Sequence, residues 1–493
     1  MSTQPKKQIE DESKDQLTSS RIVEMALEMY DTVKSTEGRL LAVPKHGGTA
    51  EEIKSLTPVL SAYLYTSAGI SVSNQTIKTA LDTLAGLTMQ RAEQPVALRA
   101  ASTVSVVSKV HDRNGNSETF ATPTCVYIDL GSHDSEVVRI NKYGWSLLSE
   151  ERKIAFDGNE DYPASPLFRR TATIRPLPLP VRSTNGRDHL AMILGLTPTD
   201  PKFLLVWGWL VASVFVNVPR PALWLTGQQG SGKTTLGLLA LSVINPTERM
   251  GGNFGKNERD DLTLLSGSFL PSFDNISSVS QSVNDFICRM VTGAQTSNRA
   301  LYTDDGLHLS TIMRTAVFSS INLPMGLRED GLERIVHVHC ERIDSESRLR
   351  DSDMQQKFSS LHPEILGCLL SDISGVIENY SDAVQEVAGQ LPRMADYATL
   401  LAALDLHLDD EDEELPPKFL ESYLEIVQES MRERALDDPF TSAIIRIAVE
   451  GKFKGTFKTL HDLLEHAPER PNDPKAFWPT NAKHLGNTLT LHA

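Results

Sequence analysis

The chain has 493 residues, with 48 Lys plus Arg against 64 Asp plus Glu, for a formal net charge of −16. That length predicts about three domains and a large core. The acidic balance weighs against a histone-like coat on nucleic acid, while a small basic channel inside an acidic protein stays open. No unbroken apolar run reaches about 18 residues, which argues against a membrane-spanning helix. The longest run, 203–218, stops at Pro219, Arg220 and Pro221 and reads as a buried core helix.

In chain order, residues 1–20 are polar and mixed in charge, predicting a disordered tail without the apolar centre of a secretory signal, and hence a cytoplasmic protein. Residues 21–115 read as a helical region. Helical spacing covers 22–33, a loop carries His46, Gly47 and Gly48, and two amphipathic stretches follow. Leu60, Tyr63 and Leu64 mark the first, and Ile77, Ala80, Leu81, Leu84 and Leu87 the second. Residues 116–184 read as a β-rich module, with strands at 125–130 and 137–140 and a linker through Pro176, Pro178 and Pro180.

Residues 185–345 alternate helix, strand and loop, the pattern of an α/β domain. A helical lid is expected over 346–408, then an acidic linker over 409–417, where Asp409 to Glu414 precede Pro416 and Pro417. The remainder, 418–493, is largely helical. Cys125, Cys288, Cys340 and Cys368 are widely spaced and read as reduced core residues.

The strongest motif is Gly227-Gln228-Gln229-Gly230-Ser231-Gly232-Lys233-Thr234-Thr235, a full match to GxxxxGK[ST]. The apolar strand 222–226 precedes it and the helical run 236–243 follows. Glycines let backbone N–H groups reach the phosphates of ATP, the helix N-terminus adds attraction, and Lys233 adds charge. The Thr234 hydroxyl suits Mg²⁺. A second strand, 269–273, ends in Asp274 and Asn275. Asp274 suits the acid that holds Mg²⁺ through its water. Asn275 stands where many such ATPases place a glutamate, which leaves either a slow nucleotide switch or a base from elsewhere, with Glu258, Asp260 and Asp261 as candidates. Pro271 is unexpected in a central strand because it lacks a ladder donor.

A third strand, 315–320, leads into Asn322, a candidate for orienting the lytic water. Arg334 is a candidate arginine finger for a neighbouring subunit, with Arg328 as substitute. Its competing reading is a surface arginine paired with Asp330 or Glu333. Between these strands, Asp305-Gly306 flanked by apolar alternation predicts a hairpin over 299–312. His337 and His339 share a strand face without a partner cluster, which is weak for metal. Trp207 and Trp209 read as core.

Assembled, these residues resemble the superfamily 3 branch of AAA+ ATPases, and more closely the helicase component encoded by phages and mobile elements, often fused to a primase. The resemblance includes FDN at 273–275, LYTDD at 301–305 and RMADYA at 393–398. It extends to YIDLG at 127–131, GW at 144–145, GTFKTLHDLL at 455–464 and WPTNAKHLGNTL at 478–489. It implies a P-loop AAA+ core in a homo-oligomeric ring, usually a hexamer, with ATP between subunits and single-stranded DNA in the channel. The hairpin then lines that channel, with Arg299, His308 and Arg314 as the nearest cations around an acidic tip at Asp304 and Asp305. Arg393 becomes a lid residue touching nucleotide, and 418–493 a winged-helix-like domain whose recognition helix starts near Asn481, with little sequence left for a wing. No primase domain is fused here, so priming is expected either from a separate primase or not at all. The rival reading is an ATP-gated loader or remodeller of a protein partner.

Overall fold

The structure, a computed structural model, describes residues 18–493 except 112–116, 149–165, 252–253, 255–256, 300–306, 325, 343–349, 389–391, 410–417, 438, 452, 472–477 and 492–493. It is a mixed α/β protein that divides into two compact units, Met1–Ser422 and Tyr423–Ala493. No helix among the described residues is long and apolar enough to cross a membrane.

The N-terminal region is less helical than its periodicity predicts. Helix α1 (Ser19–Met29) ends where Tyr30 turns extended, and the chain runs directly into strand β1 (Tyr30–Ser35), antiparallel to β2 (Leu40–Pro44). Thr32 and Val33 are β-branched and buried, which favours the pleat over a further helical turn. Helices α2 (Thr57–Ala68) and α3 (Asn74–Met89) close a core of Ile22, Ala26, Leu56, Leu60, Ile77 and Leu84.

The following four-stranded antiparallel sheet runs in sequence order: β3 (Ala100–His111), β4 (Ser117–Asp129), β5 (Val137–Asn141) and β6 (Gly144–Leu148). Its first strand lies inside the stretch read as helical, because β-branched residues dominate 103–110. The proline segment that follows is an ordered extended strap. Leu177 N–H bonds the Leu130 carbonyl at 2.7 Å, and Val181 N–H bonds the Pro363 carbonyl at 2.9 Å. The strap presses so close to Gly367 that a Cβ there would lie 1.8 Å from the Val181 oxygen.

The central sheet is parallel, with β7 (Ala222–Thr226), β8 (Ser272–Phe273), β11 (Val317–Ser320) and β12 (Ile335–His339) in the order β8-β11-β7-β12. Strands β9 (Ala294–Arg299) and β10 (Leu307–Ile312) form a separate two-stranded ribbon. Every residue of β7 is buried, as expected for a strand covered on both faces. Helices α4 (Gly186–Leu194), α5 (Pro201–Ser213) and α6 (Lys233–Ile244) belong to this part of the chain, and all of α5 from Phe203 onward is buried. Trp207 Nε1 donates to Asp372 Oδ2 at 2.7 Å, and Trp209 Nε1 donates to the Pro221 carbonyl and to Thr315 Oγ1. Both indoles are therefore core, with their polar edges satisfied.

Between the strands of the sheet lie α7 (Glu258–Gly267), α8 (Gln281–Thr292) and the short α9 (Glu329–Leu332), and after its last strand come the long α10 (Asp351–Glu386) and α11 (Ala395–Leu408). Asp372 on α10 takes both a 2.7 Å and a 2.8 Å bond from Arg187 of α4, so this buried carboxylate links three helices. The second unit holds α13 (Pro439–Glu450), α14 (Phe457–Glu465) and α15 (Ala482–Leu491) around Phe440, Ala443, Leu460, Leu464 and Leu485, while α12 (Phe419–Asp437) spans the boundary. Among its described residues no strand occurs. Asn481 does begin the last helix, its Oδ1 accepting the His484 N–H at 2.8 Å.

Candidate functional site

The glycine loop leaves the C-terminal end of β7 and enters α6 at Lys233. Gly227, Gly230 and Gly232 all have positive φ, at 151°, 81° and 76°. A side chain at Gly227 is sterically impossible without movement, since its Cβ would lie 2.3 Å from the Cys340 oxygen and 2.5 Å from Ser231 Oγ. Gln228, Gln229, Gly230 and Thr234 are exposed, and Lys233 is half-buried with Nζ 3.4 Å from the Gln228 carbonyl. The Ser231 hydroxyl is buried without a hydrogen-bond partner among the described residues. Behind the loop, Thr226 Oγ1 meets His337 Nε2 at 2.8 Å and His339 Nδ1 at 3.1 Å. Burial pushes the His337 imidazole down to about 4, and neighbouring His339 adds to that. Two imidazoles on one hydroxyl support the strand end; no group of three metal-ligating side chains occurs among the described residues.

The acid strand is shorter than predicted, and it is the edge of the described sheet. The Pro271 anomaly is resolved by where the strand starts: Pro271 precedes the first residue of β8, where the ladder asks no donor of it, and its carbonyl accepts the Val317 N–H at 3.0 Å. Asp274 follows directly, half-buried, and its Oδ1 accepts from the Ser319 hydroxyl. Asn275 is exposed and adopts φ 60°, a left-handed conformation rare for a non-glycine residue.

Asn322 lies exposed, two residues beyond the end of β11, with its carbonyl taken by Ser320 Oγ. The residue of β11 that touches Asp274 is instead Ser319. Motif spacing overlooked it because all four residues of β11 are buried, so alternation could not mark which one faces the neighbouring acid.

Arg334 sits just before β12, its guanidinium donating to the Asp330 carbonyl and lying 3.5 Å from Cys288 Sγ. Arg328 is exposed at the start of α9. Arg393 pairs with Glu333 at 3.1 Å. Of the acids considered as an alternative base, Glu258 pairs with Arg289, Asp260 accepts from Asn257, and Asp261 is buried.

The hairpin is present, with Arg299 opposite Leu307 and His308 opposite Asn298. Its tip, with Asp304 and Asp305, lies outside the described residues. The expectation that Arg314 faces DNA is overturned. Its side chain is only 17% exposed, Nε donates to the carbonyls of Leu265 and Ser268, and NH2 pairs with Glu37. Arg39 and Arg169 reach the same carboxylate and also bond Ser266. Three arginines thus cap the C-terminal end of α7, where unpaired carbonyls attract cations.

Residues 188–409, less than half of the chain, match the family model described as the actinomycete integrative conjugative element replication protein. No curated protein matches. Among solved structures, the active helicase Cch of SCCmec type IV is 13% identical with a TM-score of 0.41, covering 85% of this chain and 78% of its own. The NrS-1 C-terminal region is 13% identical with a TM-score of 0.37, over 74% of each chain. The JCV helicase is 16% identical with a TM-score of 0.23, over 46% of this chain and 62% of its own. These structural likenesses are too distant to carry an argument about activity.

Proposed function

We propose that this chain is an ATP-dependent ring translocase or helicase on single-stranded DNA, acting in the replication of a mobile element. The observation that carries the ATP reading is the order of the central sheet. The acid strand, the strand of Ser319 and the strand of the glycine loop are consecutive parallel neighbours, so their C-terminal ends converge on one edge. The residues fit a nucleoside triphosphate. Three positive-φ glycines clear space for phosphate, a buried Ser231 hydroxyl lacks a partner among the described residues, and Lys233 supplies charge. Thr234 and Asp274 would hold Mg²⁺, which when bound would neutralise charge developing on the phosphates. The family match over 188–409 supports replication as the setting. In this reading the core is of the P-loop AAA+ type, 418–493 is a winged-helix-like domain, Arg334 acts in a neighbouring subunit and the hairpin 299–312 meets DNA.

A loader or remodeller of a protein partner is the second reading, favoured by Asn275 where a carboxylate base is usual and by the loss of Arg314 as a DNA cation. The deciding experiment is ATP turnover with and without single-stranded DNA, with Lys233→Ala as control. Stimulation by DNA that vanishes in Lys233→Ala supports the translocase. Turnover indifferent to DNA favours the loader, and turnover retained in Lys233→Ala refutes the site.

A further inference from the structure

Ser319 is fully buried on β11, between the strand of the glycine loop and the strand of the acid. Its hydroxyl donates to Asp274 Oδ1. The Asn275 N–H donates to that hydroxyl at 3.2 Å, and the Ile276 N–H donates to the Ser319 carbonyl at 2.8 Å. One residue therefore holds three consecutive residues of the turn after the acid strand. Asn275 reaches its bond through the φ of 60°, a conformation costing a non-glycine residue on the order of 1 kcal/mol, which persists only where surrounding bonds over-determine it.

A serine hydroxyl has one proton. Spent on Oδ1, it decides which carboxylate oxygen turns inward, and Oδ2 takes no hydrogen bond from the described residues. Without that donor, the carboxylate torsion is broad and a charged group at a sheet edge samples several orientations. Alanine would fill the strand position, so what the hydroxyl adds is its two hydrogen bonds, one to Asp274 and one from the Asn275 N–H.

We propose that Ser319 is a positioning residue that presents Asp274 Oδ2 outward to Mg²⁺, so that the metal-dependent part of nucleotide binding depends on a hydroxyl from the adjacent strand. The proposal rests on the ATP-binding reading. Partners that orient metal-binding carboxylates typically contribute 10–100-fold in metal affinity.

The test uses the full chain and a fluorescent ATP analogue, mant-ATP, titrated with Mg²⁺ and, separately, in EDTA. In Ser319→Ala the half-saturating Mg²⁺ should rise on the order of 10–100-fold, while mant-ATP affinity in EDTA stays at the wild-type value. In an Asp274→Asn background, adding Ser319→Ala should change the Mg²⁺ dependence no further, because the hydroxyl acts on the metal through that carboxylate. Wild-type Mg²⁺ dependence in Ser319→Ala overturns the proposal. So does loss of metal-free binding, which would make the hydroxyl structural, and so does an additive double variant. If the wild-type chain binds no mant-ATP even with Mg²⁺, the ATP reading itself has failed, a result distinct from all of these.

Discussion

Replacing Arg314 with alanine separates a structural cation from a DNA-binding one. The change removes the Nε donor shared by the Leu265 carbonyl at 3.1 Å and the Ser268 carbonyl at 3.3 Å, and the 3.5 Å contact with Glu37. Burial holds the guanidinium below its ordinary pKa, and Glu37 offsets part of that, so the side chain has given up water for these partners. A hydrogen bond from a charged group is worth about 1.5–3 kcal/mol. Orphaning a buried ion costs about 3–5 kcal/mol, but here Glu37 keeps Arg39 at 3.5 Å and Arg169 at 3.8 Å, so the full penalty does not apply. The expected destabilisation of Arg314→Ala is therefore about 2–4 kcal/mol. Urea unfolding should show a lower midpoint with unchanged slope. Anisotropy of labelled oligothymidine, measured where both proteins are folded, should show the same salt dependence as wild type. An unchanged midpoint together with a log-log salt slope reduced by about 0.7 would refute this reasoning, because that is the signature of one lost phosphate contact.

Arg299→Ala and His308→Ala on the ribbon should, by contrast, weaken single-stranded DNA binding without moving the unfolding midpoint; equal affinity to wild type across salt concentrations would remove the hairpin from the interface. If Arg334 acts in a neighbouring subunit as proposed, Arg334→Ala should retain nucleotide binding but lose most turnover, since arginine fingers are worth roughly 10³–10⁵ in rate. Mixing it with Lys233→Ala protein should restore some turnover, and failure at every ratio would count against action between subunits. His362, buried with Nε2 3.0 Å from the Val243 carbonyl, is pushed by burial down to about 4. Below pH 6.5 the unfolded chain takes up a proton that the folded chain refuses until about pH 4, so this contribution to stability is full above 6.5 and lost as pH falls through that window. His362→Leu should remove up to roughly 3 kcal/mol of that acid dependence, read as a smaller stability difference between pH 7.5 and 4.5. Asp405, pushed up to about 7 by burial, works in the opposite direction in both proteins and cancels in the comparison. Parallel pH curves would refute the argument.

The backbone geometry of one short stretch was readable from residue order. GxxxxGK[ST] between an apolar strand and a helical run names its own backbone geometry, because the turn needs glycines at positive φ and the helix start follows at once. The hairpin and the indole core were legible for the same reason: alternation and apolar runs are local. The strand content of the first 115 residues was less so, since Tyr30–Ser35 and Ala100–His111 exist only through the partners they pair with.

What residue order alone determined about this protein is its acidic, α/β character and a glycine-rich turn at 227–235 between a strand and a helix. The tertiary structure alone decided which distant side chains meet. Ser319 meets Asp274 across a gap of 45 residues, and Arg314 meets Glu37 across 277. Pro271 is acceptable because pairing begins only after it, and Arg314 is withdrawn from solvent because the end of α7 offers it the Leu265 and Ser268 carbonyls while a distant segment brings the Glu37 carboxylate to the same place. Hydrogen bonds and ion pairs of this kind depend on distance and burial, which chain-distant segments acquire only when the core brings them together.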